Sequence, residues 1–104
     1  MIHNIFNNIQ PTSSQELTDV ILHQENIHIE RIVSYGIPSD KEFWYNQKNN
    51  EWVLLLSGEA EIEFKDEGLH QLKAGDYFFI PAHQEHRVNF CSKEPNCIWL
   101  AVHF

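Results

Sequence analysis

Apolar residues come in short blocks along most of the chain, and turn-forming residues separate the blocks. Residues 27–36, IHIERIVSYG, are rich in β-branched side chains and stop at Gly36, with Pro38 just beyond, which predicts a strand. Residues 51–58, EWVLLLSG, are a nearly continuous apolar run closed by Ser57 and Gly58, as in a strand buried on both faces. The next six residues alternate: Glu59, Glu61 and Glu63 point outward, and Ala60, Ile62 and Phe64 point inward. A turn at residues 65–68 leads to a short strand LHQLK, and a second turn at residues 74–76 leads to YFFIP. HRVNF and IWLAVHF complete the set. In the closing strand Ile98, Leu100, Val102 and Phe104 share one face, and Trp99, Ala101 and His103 the other. Both faces carry bulky groups, so cover on both sides and an ordered last residue are expected.

The first quarter of the chain is less regular. A strand is expected around residues 2–6, followed by the polar, turn-rich NNIQPTSSQE. The apolar spacing of ELTDVILHQEN fits a short helix or a strand and does not decide between them. Seven or eight short strands with at most one helix describe an all-β sandwich or barrel. One domain over residues 1–104 is expected, with 1–26 as N-terminal strand and connecting segment and 27–104 as barrel.

Length and charge narrow the picture. A chain of 104 residues builds a single core of modest stability, and pairing into a homodimer would bury more surface. An apolar share of 42% excludes disorder. Seven Lys and Arg against fifteen Asp and Glu give a net charge of −8, which repels phosphate backbones and anionic lipid. Nucleic acid and membrane surfaces are therefore not expected partners. No apolar run approaches the roughly 20 residues of a membrane span, and the N-terminus lacks the basic and apolar regions of a signal peptide. A cytoplasmic location is the expectation. Cys91 and Cys97 flank the turn SKEPN and could face each other, but in a reducing compartment they are free thiols.

Two short patterns carry chemistry. In the first, Glu51 is followed after six residues by Gly58. In the second, Gly75, five residues, Pro81, four residues and His86 follow one another. Together they resemble the two motifs of the cupin superfamily, small double-stranded β-helix (jelly-roll) barrels. ERIVSYG, FWYNQ and IWLAVHF extend the resemblance over residues 30–104, toward small bacterial single-domain cupins without a settled function. In metal-binding cupins the first motif supplies His-x-His, three or four residues, then Glu, and the second supplies one more His. The resemblance thus implies Glu51 and His86 as metal ligands. The two remaining positions fall on Tyr45 and Gln47 with three intervening residues, or on Trp44 and Asn46 with four. Tyr45, Gln47 and Glu51 share parity with Val53 and Leu55, which favours the first pair. The family's Gly before the motif His is here His83, a departure from the pattern.

One imidazole, one carboxylate, an amide oxygen and a phenol suit a divalent Fe, Mn, Ni or Zn, more weakly than three histidines and a Glu would. Tyr45 ligates well only as phenolate, and His83 is a reserve ligand or, with Tyr45, a proton donor or acceptor. Trp44, Trp52 and Trp99 are candidates to line a ligand pocket. The plainer readings stand beside these. Glu51 would pair with Arg87 or Arg31 without metal, His86 would be a hydrogen-bonded core histidine, His83 a loop residue at the barrel mouth, and Tyr45 and Trp44 rim aromatics. His3, His23, His28, His70 and His103 are scattered and show no ligand spacing. Two functions follow: a small cupin with a divalent-metal site acting on or binding a small polar molecule, or a metal-free binding or structural module.

Overall fold

Eight strands and no helix make up the computed structural model, which describes residues 1–104. They are β1 (Leu17–Gln24), β2 (Ile27–Ser34), β3 (Glu51–Ser57), β4 (Glu59–Phe64), β5 (Gly68–Lys73), β6 (Tyr77–Ile80), β7 (His86–Cys91) and β8 (Cys97–His103). Five form one sheet in the order β1-β2-β8-β3-β6, and three form a second in the order β5-β4-β7. Every pairing is antiparallel. The sheets face each other as the two layers of a jelly roll, and alternation along each strand decides what lies between them. Val53, Leu55 and Trp99 from the larger sheet meet Ala60, Ile62 and Phe64 from the smaller one, and Leu55 is fully buried.

β8 is covered on both faces, as its composition requires. Trp99 and Ala101 lie inside the barrel, while Ile98 joins Val33 and Tyr35 in a second cluster on the outer face, beneath Ile9, Leu17 and Leu56. The last residue, Phe104, exchanges both backbone hydrogen bonds with Asn50.

The N-terminal expectations need two corrections. Residues 2–6 form no strand. The segment crosses the outer face of the larger sheet, where the Arg31 guanidinium donates to the carbonyls of Ile5 (2.9 Å), Asn7 (2.7 Å) and Asn8 (3.3 Å) and pairs with Asp19 (2.7 Å). Tyr35 Oη adds a bond to Gln10 O (2.7 Å). A buried side chain thus takes the place of a neighbouring strand. The ambiguous Leu17–Gln24 stretch is a strand, β1, so the larger sheet begins ten residues before the expected barrel start at residue 27. Seven of its eight residues are exposed, so no buried face imprinted a period on its sequence.

Because Arg31 is buried and bonds three carbonyls, Arg31→Met should free the N-terminal segment. A loss of about 1–2 kcal/mol in urea unfolding is expected, with new protease cleavage before residue 10.

Candidate metal centre

One end of the larger sheet carries a transverse row of polar residues. His23 of β1 pairs in register with His28 of β2, His28 with His103 of β8, and His103 with Glu51 of β3. Glu30, one step further along the inner face of β2, bridges two of the imidazoles. It lies 3.1 Å from His28 Nε2 and 3.0 Å from His103 Nε2. Across the barrel, His86 opens β7 and approaches Glu51, with Nε2 3.9 Å from Oε1.

Glu30, Glu51, His86 and His103 line an interior cavity of about 140 Å³. Tyr45 and Gln47 also line it, although neither belongs to a strand. A single β-bridge fixes Tyr45 against His86: Tyr45 N–H donates to His86 O (2.8 Å), and His86 N–H to Tyr45 O (3.2 Å). The two rings stack 5.5 Å apart. Trp99 closes the cavity wall and donates its Nε1–H to Ser34 Oγ (3.2 Å).

The protonation pattern follows from the hydrogen bonds. His86 Nδ1 lies 2.9 Å from Gln84 O, and a carbonyl only accepts, so Nδ1 carries the proton. Nε2 then offers a lone pair to the cavity, and burial lowers the His86 pKa, which keeps the ring neutral. Facing it, Glu51 Oε1 is buried with no hydrogen-bond partner, and Gln47 Oε1, in the same cavity wall, is likewise unpartnered. Burial pushes the Glu51 pKa up, and the neighbouring His103 pulls in the opposite direction. Burial also raises the Tyr45 pKa, so the phenol keeps its proton and is a hydrogen-bond donor before it is a ligand.

The other candidates lie elsewhere. His83 is exposed, turned outward on a left-handed backbone (φ 66°), and its Nδ1–H donates to Asn46 Oδ1 (2.8 Å). It does not line the interior cavity, and borders instead an open groove between β5 and β6. Trp44 lies beneath the Arg87 guanidinium, 4.2 Å from its ring centroid, on the outer surface of the smaller sheet. Trp52 packs on Tyr77 on the outer face of the larger one. Alternation places both outside the barrel, which corrects their assignment to a ligand pocket; Trp99 alone of the three tryptophans lines the cavity. Glu51 has neither suggested arginine partner, because Arg31 holds Asp19 and Arg87 holds Glu63 (2.8 Å). Sequence reasoning missed Glu30 and His103, because register, not spacing, brings them to Glu51. Both cysteines are free, and each thiol donates to a backbone carbonyl, Cys91 to Ile37 and Cys97 to Glu59.

Two antiparallel sheets closed into a jelly roll, with a polar cavity at one end, define a double-stranded β-helix barrel. A family model described as the cupin domain matches residues 36–103, and the chain belongs to the cupin family. Its structure is similar to that of a protein of Ralstonia eutropha JMP134 provisionally named a mannose-6-phosphate isomerase. The identity is 35%, the match covers 99% of this chain and 96% of that one, and the TM-score is 0.94. A cupin superfamily protein of Desulfitobacterium hafniense DCB-2 is 21% identical over 92% of this chain and 83% of its own, with a TM-score of 0.76. An RmlC-like cupin of Desulfovibrio desulfuricans is 14% identical over 99% and 93%, with a TM-score of 0.75. No curated protein sequence matches the chain. No helix of the structure is long and apolar enough to cross a membrane.

Proposed function

We propose that the barrel interior is a divalent-cation site at which a small polar molecule is bound or converted. The observation that carries this reading is a surplus of acceptors. The His86 Nε2 lone pair, Glu51 Oε1 and Gln47 Oε1 line one cavity, and the two oxygens have no donor. Unpartnered buried acceptors each cost about 1–3 kcal/mol, and a cation answers all three at once. The 3.9 Å between His86 Nε2 and Glu51 Oε1 is wider than the roughly 3 Å between neighbouring ligands on one ion, so a small side-chain rotation would bring both within a metal–ligand bond of about 2.0–2.2 Å. His86, Glu51 and Gln47 would hold the ion, and Fe, Mn, Ni or Zn suits such a nitrogen and oxygen set.

The ion supplies Lewis acidity to a bound oxygen. The chain's own residues do the rest. Tyr45 Oη keeps its proton and can give it to a bound molecule. Glu30 orients the His103 ring, and Trp99, Val53 and Val88 keep bulk water from the walls.

The substrate class follows from size and charge. A cavity of about 140 Å³ lies well below the roughly 300 Å³ at which pockets engulf a whole organic ligand. Ile62 and Phe78 also border an open groove of about 900 Å³ between the unpaired edges of β5 and β6. A larger molecule would lie in that groove and send one polar end past Phe78. No Lys or Arg lines either space, so neither offers the guanidinium or ammonium clamp that favours a phosphate group. The sugar phosphate in the Ralstonia protein's name is therefore not the substrate proposed for this chain. A cytoplasmic location and a homodimer complete the reading.

A second reading keeps the barrel metal-free. Burial raises the Glu51 pKa, and a protonated Glu51 could itself donate to one of the acceptors. Metal analysis of purified protein separates the two. A tightly held ion, lost in both Glu51→Ala and His86→Ala, is expected. Failure of the stripped protein to take up Fe, Mn, Ni or Zn at micromolar concentration, beyond what these variants bind, would leave the metal-free reading.

A further inference from the structure

The row that ends at Glu51 begins at the surface with two histidines the interior cavity does not use. His23 and His28 are register partners on β1 and β2, and their Nδ1 atoms are 3.2 Å apart. His28 Nε2 lies 3.1 Å from Glu30 Oε2. An ionised carboxylate only accepts, so in the neutral ring Nε2 carries the proton and Nδ1 is left with its lone pair, directed at His23. A histidine backed by a carboxylate in this way has its tautomer and orientation set as metal-ligating histidines usually do. Two ligand atoms on one ion, each about 2.0–2.1 Å from it, lie roughly 3 Å apart at tetrahedral or octahedral angles. The imidazole pair already has that spacing.

The surroundings favour a cation as well. His23, His28 and His103 border a depression of about 270 Å³ at the rim of the barrel, with Glu25, Asn26 and Asn49 supplying oxygen atoms and no Lys or Arg among its lining residues. His103 borders both this depression and the interior cavity. Glu30 holds His103 and His28 with its two oxygens, so one carboxylate organises both sides of the wall.

We propose that His23 and His28 form a second divalent-cation site at the barrel rim, distinct from Glu51 and His86 and suited to a borderline ion such as Zn, Ni or Cu. Two imidazoles leave the remaining positions to water and to oxygen ligands of the depression, so this site is the weaker of the two. It stands whether or not the interior holds an ion. The competing account of the 3.2 Å contact is a direct hydrogen bond, in which His23 Nδ1–H donates to His28 Nδ1 and nothing else binds.

Chelator-stripped full-length protein titrated with Ni²⁺ by calorimetry tests the proposal. Two ions per chain are expected, the weaker one lost or weakened at least tenfold by His23→Ala and by His28→Ala. His23 is exposed and its side chain bonds only His28, so the first variant is expected to fold as the native chain does. Glu51→Ala/His86→Ala should remove the tighter ion and keep the rim ion. Paramagnetic broadening of the His23 and His28 ring signals by Ni²⁺ in that double variant locates the ion directly. Unchanged stoichiometry and affinity in both single rim variants, with those ring signals unaffected, would overturn the proposal in favour of the hydrogen bond. One ion that is lost only in the rim variants would support the rim site and overturn the interior reading.

Discussion

Gly58→Ala is expected to cost about 2–6 kcal/mol of stability, seen as a fall in Tm of roughly 8 °C or more. Two independent effects add at this residue. Its φ is +89°, a conformation in which a side chain costs about 1–3 kcal/mol. A Cβ built there would lie 2.8 Å from Ser92 Oγ, 2.9 Å from Asn96 O and 2.9 Å from Cys97 Cα. The last two are backbone of the β7–β8 connection and the start of β8, so relief requires moving a strand that carries Trp99 and Ala101 into the core. Crowding of this kind adds about 1–3 kcal/mol. Gly75→Ala is the matched control: its φ is +97°, but nothing lies within 4 Å of its Cβ position, so only the conformational cost applies. Thermal unfolding of the two variants side by side should therefore separate them by the crowding cost. Equal losses would mean that the β7–β8 connection yields freely.

The same glycine shows what the sequence could and could not disclose. Gly58 was legible as the end of a motif, because a tight turn between β3 and β4 demands a residue that tolerates positive φ. Strands such as β4 were legible because one side faces a core and the other does not, and alternation records it; β3 and β8 were legible because bulky apolar groups crowd both of their faces. β1 was not, because almost none of it is buried. The N-terminal segment was misread because a buried arginine, not a strand, binds its carbonyls. At the site, parity placed Tyr45 and Gln47 on the same face as Glu51, and the structure puts all three on one cavity wall. The same parity puts Trp44 and Trp52 on the outside, opposite Tyr45 and Val53. His103, Glu30 and His28 had no such signature. They sit 52, 21 and 23 residues from Glu51 in the sequence and reach its neighbourhood only through the pairing order β2-β8-β3, which no local pattern encodes.

Glu51→Gln is expected to have opposite effects with and without metal. In the metal-free protein, burial raises the Glu51 pKa above the ordinary carboxylate value of about 4.3. The folded chain then holds this proton more tightly than the unfolded chain. Stability is therefore greatest below the ordinary value and declines as pH rises through the interval up to the raised one. Glutamine carries no charge to desolvate, and its amide can donate to His86 Nε2, so the decline should vanish and the variant should gain about 1–3 kcal/mol at neutral pH. His86 contributes the reverse slope. Its lowered pKa removes stability as pH falls through about 6.5, and the same comparison in a His86→Ala background isolates Glu51. Added metal inverts the ranking. An ion at 100 times its Kd stabilises the wild type by about 2.7 kcal/mol, and a neutral amide in place of the carboxylate should forfeit most of it. Urea unfolding from pH 4.5 to 7.5, with EDTA and with Ni²⁺, checks both halves, and a His23→Ala background keeps the rim site from contributing. A variant that loses the pH slope but keeps the full metal effect would show that Glu51 is a buried acid and not a ligand. A variant less stable than wild type in EDTA would show that the charged carboxylate is already well satisfied by His103 and His86.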